Sequence, residues 1–322
     1  MRRPAAKLVF VNVGQGDAIL IVSGKTEVLV DGGPQGSDAD VTRAMRRAGV
    51  NDLDVVVATH MHADHVGATD ELIETYRPRT LLVAGACSST LKTSLRRVAA
   101  KLQQARRGDT FRWGKVRARV LSPASISGEA NEDSLVLLLE VAGRRILLTG
   151  DLTGPNEAAV GGICARGPPL FLLKVAHHGS RYSTSSSFLA DADPRFAVIS
   201  VGPNSYGHPT PDTVKRLRSS GARVYTTQKN GTVTLTIKPS GAVSWRFGKT
   251  SKPVTRVAAA SPTGTTTTST SSSTSTVVYI TATGECYHRG TCHYLSQSKI
   301  KVTLADAKAR GYRPCSVCRP PQ

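Results

Sequence analysis

Residues 55–65 read VVVATHMHADH, and the fold follows from this stretch. Val55 to Ala58 is apolar without interruption, the pattern of a strand covered on both faces. The chain leaves that strand directly into Thr59-His60-Met61-His62-Ala63-Asp64-His65, which gathers three of its eight histidines around a carboxylate. A surface turn has no reason to concentrate histidines in this way. Imidazole and carboxylate donors at a strand end are the chemistry of a divalent-ion site. His60 and His62 suit one ion, while Asp64 and His65 turn toward a second, and such a pair polarises an ester and activates water.

Two later runs complete a binuclear site. Leu147-Leu148-Thr149-Gly150-Asp151 is an apolar strand ending in a carboxylate that can bridge both ions, and Asn204-Ser205-Tyr206-Gly207-His208 supplies a further histidine. Lys174 to Ser180, KVAHHGS, is again a strand running into histidines. One of His177 and His178 is expected to face the site, as a ligand or as a general acid, with Asp64 as the other catalytic candidate. The hydroxyls of Tyr182 and of Ser183 to Ser187 suit phosphate oxygens or a helix cap.

Around these motifs, short apolar runs alternate with turn signals. The predicted strands are 8–13, 18–22, 27–30, 55–58, 80–83, 116–121, 134–141, 145–148, 170–175, 197–201, 223–227, 232–237 and 243–247. Helices are predicted near 38–48, 67–76, 89–104 and 210–220. Strands with a few surface helices predict an α/β fold, an αββα sandwich with helices outside two sheets. Composition divides the chain into a hydrolase domain at 1–249, a Ser/Thr-rich linker at 250–276 expected to be disordered, and a Cys-bearing module at 277–322.

Lys and Arg number 42 against 23 Asp and Glu, a net charge of +19, which favours a polyanionic partner such as DNA. From Lys92 to Arg119 there are ten basic residues and one acid. Lys92, Arg96, Arg97 and Lys101 recur at helical spacing, and Arg106 and Arg107 extend the stripe as a phosphate-tracking surface; a solvated basic face is the plainer alternative. Aromatic residues make up only 5%, so nucleic-acid binding should be tolerant of sequence and steep in its salt dependence. No stretch is apolar for long enough to span a membrane. No export signal is legible: with a leader beyond this sequence the protein would be extracytoplasmic, and otherwise cytoplasmic.

The set VNVGQGDAILI (11–21), LVDGG (29–33), THMHADHVG (59–67), NEDSLVLLL (131–139), LLTGD (147–151), KVAHHGS (174–180) and SVGPNSYGHP (200–209) resembles the metallo-β-lactamase domain of ComEC-type competence proteins of DNA uptake. The resemblance implies a binuclear hydrolase, a nuclease acting on the strand that is not taken up, with two zinc, manganese or magnesium ions. It also implies that Asp17 and Asp31 lie beneath the ligands and orient imidazole N–H groups. The membrane channel attached to such domains is not part of this sequence. Many members of the wider superfamily carry a lone third histidine, and none occurs here between 66 and 150. Asn131, Asp133, Ser134 or water is expected at that corner, where oxygen donors favour manganese or magnesium.

At the C-terminus, His288-x3-Cys292 and Cys315-x2-Cys318 have the spacing of a tetrahedral structural zinc site, with 304–310 as a helix between the pairs. Two disulfides are the competing reading, and Cys286 and His293 leave the ligand choice open. VYITATGECYHRGTCHYL (278–295) and LADAKARGYRPCSVCRP (304–320) resemble the small zinc-binding domain of the Ada DNA-repair protein, which implies zinc and a DNA-binding role. The expected function is a metal-dependent DNA nuclease. Two alternatives stand beside it: a hydrolase of small phosphodiesters, lactones or thioesters on the same fold, and a non-catalytic DNA-binding protein with a structural metal.

Overall fold

The computed structural model describes residues 4–248 and, beyond them, 277–280, 286–290, 292, 300–304, 307, 313–315, 318 and 320–321. The expected linker at 250–276 lies outside the described residues, as does most of the expected helix at 304–310, of which Leu304 and Ala307 are helical. The chain divides into two compact units, Met1–Pro253 and Val254–Gln322.

In the first unit the strands run β1 (Ala6–Phe10), β2 (Ile19–Ser23), β3 (Thr26–Val30), β4 (Val55–Ala58), β5 (Thr80–Val83), β6 (Lys101–Gln104), β7 (Thr110–Trp113) and β8 (Val116–Ser122). They continue as β9 (Val136–Val141), β10 (Arg144–Leu148), β11 (Leu172–Lys174), β12 (Phe196–Ile199), β13 (Arg223–Thr226), β14 (Val233–Ile237) and β15 (Val243–Phe247). One sheet has the order β15-β14-β1-β2-β3-β4-β5-β6 and the other β13-β12-β11-β10-β9-β8-β7. The helices are α1 (Asp38–Ala48), α2 (Ala63–Val66), α3 (Thr69–Tyr76), α4 (Ser89–Val98), α5 (Pro155–Cys164), α6 (Ser186–Ala192), α7 (Pro211–Ser219) and α8 (Thr227–Asn230).

The alternation of side chains along each strand explains the four layers. Leu8, Phe10, Ile21, Val30 and Val57 meet Val120, Leu137, Leu139, Ile146 and Leu148 in a core between the two sheets. Their neighbours Val9, Leu20, Leu29, Val56 and Leu81 point the other way and pack beneath Val41, Met45, Leu72, Leu91 and Leu95 of α1, α3 and α4. On the far side, Leu138, Leu147, Leu173 and Ala197 pack beneath Val160, Leu189 and Leu217 of α5, α6 and α7. Central strands therefore have no polar face to show, which is why VVVA at β4 is apolar throughout. Each fully buried Leu or Val contributes roughly 1.5–3 kcal/mol.

One expectation is corrected. The helix predicted over 89–104 ends at Val98: Ala99 adopts φ 57° and caps it through a backbone N–H to Arg96 O. Lys101–Gln104 then pairs in parallel with β5 as an edge strand. The residues there are good helix formers, but an open sheet edge offers a row of hydrogen bonds that overrides the local preference. Lys101 therefore does not share a helical face with Lys92, Arg96 and Arg97. The structure also contains α5 and α6, which the sequence reading lacked.

Strands β3, β4 and β5 are parallel, as are β10, β11 and β12. Asp31, the 59–65 loop, Asp151, His177 and Ser200 all follow the C-terminal ends of these strands, and open α/β sheets commonly bind ligands at that edge. In the second unit β16 (Val277–Ile280), β17 (Cys286–His288), β18 (Ile300–Thr303) and β19 (Arg313–Pro314) form a four-stranded sheet ordered β18-β16-β17-β19.

Candidate metal centre

Asp151 is the hub of the site. It follows β10 through Gly150, whose φ of 52° and close approach to Thr59 and Ser134 leave little room for a side chain. The Ser134 hydroxyl accepts the Asp151 N–H at 3.1 Å and fixes the turn. Asp151 is 2% exposed, and four imidazoles surround its carboxylate. From its oxygens, His65 Nε2 lies at 3.2 Å, His178 Nε2 at 3.6 Å, and His60 Nε2 and His177 Nε2 at 3.9 Å each.

The rings are oriented from behind. His65 Nδ1 donates to Asp31 Oδ2 at 2.7 Å, and Asp31 also accepts from Thr59 N–H at 2.8 Å and from its hydroxyl at 2.7 Å. His178 Nδ1 donates to Ser200 O at 2.9 Å. In both rings the nitrogen on the other side, Nε2, is thereby aimed at carboxylate oxygens: Asp151 for His65, and Asp64 at 3.0 Å together with Asp151 for His178. His65 Nε2 and Asp151 Oδ1 are both buried without a hydrogen-bond partner. Two electron-pair donors facing each other in this way call for a cation between them.

The electrostatics favour positive charge at this point, whether a proton or a metal ion carries it. Burial works against a charged ring, but Asp151 and Asp31 outweigh it and hold His65 well above the ordinary imidazole range. Burial likewise opposes charge on His178, which Asp151 and Asp64 nevertheless raise. His60, buried and close to His65, is held well below that range. Asp64, in spite of its burial, is driven below the usual carboxylate range by His178 and His65.

Asp64, His65, Asp151 and His178 bring ligand atoms within 4.8 Å of one another, as do Asp17, Asp31 and His65. His60 and His62 form a second group, with His60 Nε2 3.1 Å from His62 Nδ1 and His62 on the exposed side. Both His177 and His178 reach the site, where the sequence reading expected one. The backbone explains this, since φ is 50° at His177, 51° at His178 and 83° at Gly179, a left-handed turn that brings both rings to Asp151. Strained backbone of this kind concentrates at functional sites. His208 stands further out, its ring 5.5 Å from that of His177, on a loop pinned by Asn204.

The three residues expected at the corner without a histidine differ in placement. Asp133 accepts from Ser127 N–H, Ser127 Oγ and Gly128 N–H, so its carboxylate organises the 127–133 loop. Ser134 is engaged with Asp151 as described, and Asn131 Oδ1 is buried without a partner. Ser185 caps α6 through Phe188 N–H, and Ser183 is buried and donates to Ala176 O.

One site residue escaped the sequence reading. Lys174 is fully buried, ion-paired with Asp17, donates to Gly150 O at 3.0 Å and lies 3.9 Å from Asp151. The signal was a lysine closing the otherwise apolar run LFLLK at 170–174, a position where a buried charge needs a partner. Asp17 itself is 3.7 Å from His65 Nδ1. Gly16, at φ 145°, lets this loop lie against Asp64 O, where a Cβ would collide.

A model of the metallo-beta-lactamase superfamily matches residues 11–202. The chain belongs to that superfamily. This member is 32% identical over 192 residues to ComE operon protein 3 of Bacillus subtilis, covering 58% of the chain and 25% of the relative. It is 27% identical over 239 residues to competence protein ComA of Neisseria gonorrhoeae, covering 73% of the chain and 33% of the relative. The chain thus spans a quarter to a third of the length of these relatives. CmlA, a diiron β-hydroxylase from Streptomyces venezuelae, shares the fold at TM-score 0.50 and 15% identity, over 74% of this chain and 55% of that one.

In the second unit of this superfamily member, ligand atoms of His288, Cys292, Cys315 and Cys318 lie within 4.8 Å of one another. His288 Nδ1 is 3.3 Å from Cys292 Sγ and 3.9 Å from Cys318 Sγ, and Arg289 N–H donates to Cys318 Sγ at 3.3 Å. Cys292, Cys315 and Cys318 are not joined in disulfides. Three sulfurs and an imidazole are a donor set that suits a structural metal.

On the basic stripe, Lys92, Arg96, Arg97, Lys101, Arg106 and Arg107 are all exposed. Arg97 pairs with Glu74 at 2.7 Å and Arg107 Nε donates to Leu121 O, while Arg106 lines a cleft of about 680 Å³ with Gln103, Phe111 and Ile126. Among the described residues no helix is long and apolar enough to cross a membrane.

Proposed function

We propose that this chain is a metal-dependent phosphodiesterase acting on DNA. The observation that carries the reading is the Asp151 carboxylate set among four imidazoles, with His65 Nε2 opposed to it and unpartnered, on a chain of net charge +19. The donor chemistry fits two divalent ions, zinc or manganese: one held by His60, His62 and Asp151, the other by Asp64, His65, Asp151 and His178. Bound there, the ions supply Lewis acidity, which polarises a phosphodiester and lowers the pKa of water. The relative named competence protein ComA supports a DNA-related substrate.

The protein's own groups divide the remaining work. Asp31 and Ser200 O fix which nitrogen of His65 and His178 faces inward. Lys174 and Asp17 hold the base of the site rigid. His177 has one nitrogen toward Asp151 and a buried Nδ1 without a partner, and burial holds it below the ordinary imidazole range. Its neutral ring can take a proton from attacking water and then hand that proton to the leaving oxygen.

For the second unit we propose a structural zinc on His288, Cys292, Cys315 and Cys318, in a basic module akin to the Ada zinc domain that raises the local concentration of DNA by tethering.

The test is cleavage of plasmid and single-stranded DNA by metal-stripped protein, re-supplied separately with zinc, manganese and magnesium. Wild type should cut only with metal, and His62→Ala should lose cutting while still retarding DNA in a gel. Unchanged cutting by His62→Ala contradicts the assignment. Hydrolysis of bis(p-nitrophenyl) phosphate without any attack on DNA would favour the small-substrate reading.

A further inference from the structure

Exposed aromatic rings are few among the described residues, and their placement is uneven. Among the described residues they are Tyr182 and Tyr206, each 59% exposed, and Phe247. Phe247 of β15 belongs to the cluster with Trp245 of the same strand and Tyr225 of β13. Of the other two, Tyr182 comes four residues after His178, just beyond the left-handed turn, and Tyr206 sits on the loop that carries His208. The Tyr206 ring lies 5.8 Å from His208, His208 lies 5.5 Å from His177, and His177 Nε2 is 3.9 Å from Asp151, so a row of rings leads from the surface to the site.

The two loops are braced, which holds the backbone that carries these rings. Thr210 N–H donates to Gly179 O at 3.0 Å, which joins them. Arg216 Nη2 donates to Arg181 O at 3.3 Å and to Ser183 O at 3.0 Å, holding the backbone on either side of Tyr182. Asn204 bridges Gly202 O and His208 O across the base of the Tyr206 loop. A solvent-facing tyrosine on a braced loop offers stacking area at little entropic cost.

We infer that Tyr182 and Tyr206 are stacking platforms for the nucleobases of a single DNA strand entering the site. The inference rests on the nuclease reading and deepens it by naming the strand. In a duplex, each base face is covered by its neighbours, whereas an unpaired strand can turn a base onto an aromatic ring while its phosphate reaches the metal centre. Two platforms suffice for one or two nucleotides next to the scissile phosphate, with the rest of the grip supplied by backbone charge.

The experiment compares wild type, Tyr182→Leu/Tyr206→Leu and Tyr182→Phe/Tyr206→Phe for binding to a thymidine 12-mer and to an abasic 12-mer with the same phosphates. Wild type and the Phe variant should favour the base-bearing strand about tenfold or more, and the Leu variant should lose most of that preference with its abasic affinity retained. Equal binding of the two strands by wild type, or an undiminished preference in the Leu variant, overturns the inference while leaving metal-dependent cleavage intact. If wild type neither binds nor cuts DNA, the nuclease reading falls and this inference with it.

Discussion

His65 bridges two carboxylates: its Nδ1 donates to Asp31 at 2.7 Å, and its Nε2 lies 3.2 Å from Asp151. The first contact orients the ring and the second defines where a cation belongs. Asp31→Asn keeps the shape but weakens the acceptor and frees the tautomer. Affinity for the second ion should fall about 10–100-fold, measured by competition with a chelator of known strength. An unchanged affinity would mean that Asp31 serves the fold alone.

Lys174 and Asp17 form an ion pair at 0% and 1% side-chain exposure. Removing one partner strands a buried charge, so Lys174→Met should cost about 3–5 kcal/mol in urea denaturation. The double variant Lys174→Met/Asp17→Asn should regain a large part of that loss. A double variant no more stable than Lys174→Met would show that packing around the lysine stem, rather than charge, is what the single variant loses.

Burial, with Asp52 and Asp54 alongside, pushes the Glu27 carboxyl up to about 7. The folded state thus binds this proton more tightly than the unfolded chain does, and stability is lost as pH rises from the ordinary carboxylate range through about 7. Glu27→Gln removes that loss. Its melting temperature should exceed that of wild type at pH 8, with the gap closing toward pH 5; a gap that widens on acidification refutes the assignment.

The exposed cations on β6 and the loop after it should act through counterion release. DNA affinity should fall steeply with salt, and Lys101→Gln/Arg106→Gln should reduce the slope of log affinity against log salt by about two. A slope identical to that of wild type would remove these residues from the DNA-binding surface.

Much of this architecture is written in the sequence because burial on both faces makes a strand apolar throughout. Val55–Ala58 and Leu147–Leu148 announce themselves in this way, and the donor residues follow at once. Helix α5 was illegible because PNEAAVGGIC carries two glycines and no clear apolar stripe. The end of α4 depended on pairing with β5, a contact 21 residues away in the chain (Thr80 against Lys101), which local propensity does not encode. That both His177 and His178 turn inward depends on positive φ at non-glycine residues, which the surrounding packing imposes. Lys174 was hidden because its partner, Asp17, is remote in sequence.

The central claim is that Asp151 is shared by the ions of the active centre. Its most direct test is the metal content of the full chain, wild type against Asp151→Asn, after loading with zinc and removal of excess. Wild type should retain the ions of the active centre together with that of the C-terminal unit, and Asp151→Asn should retain the C-terminal ion while losing the others, with its circular dichroism spectrum unchanged. Equal metal content in two folded proteins would contradict the claim.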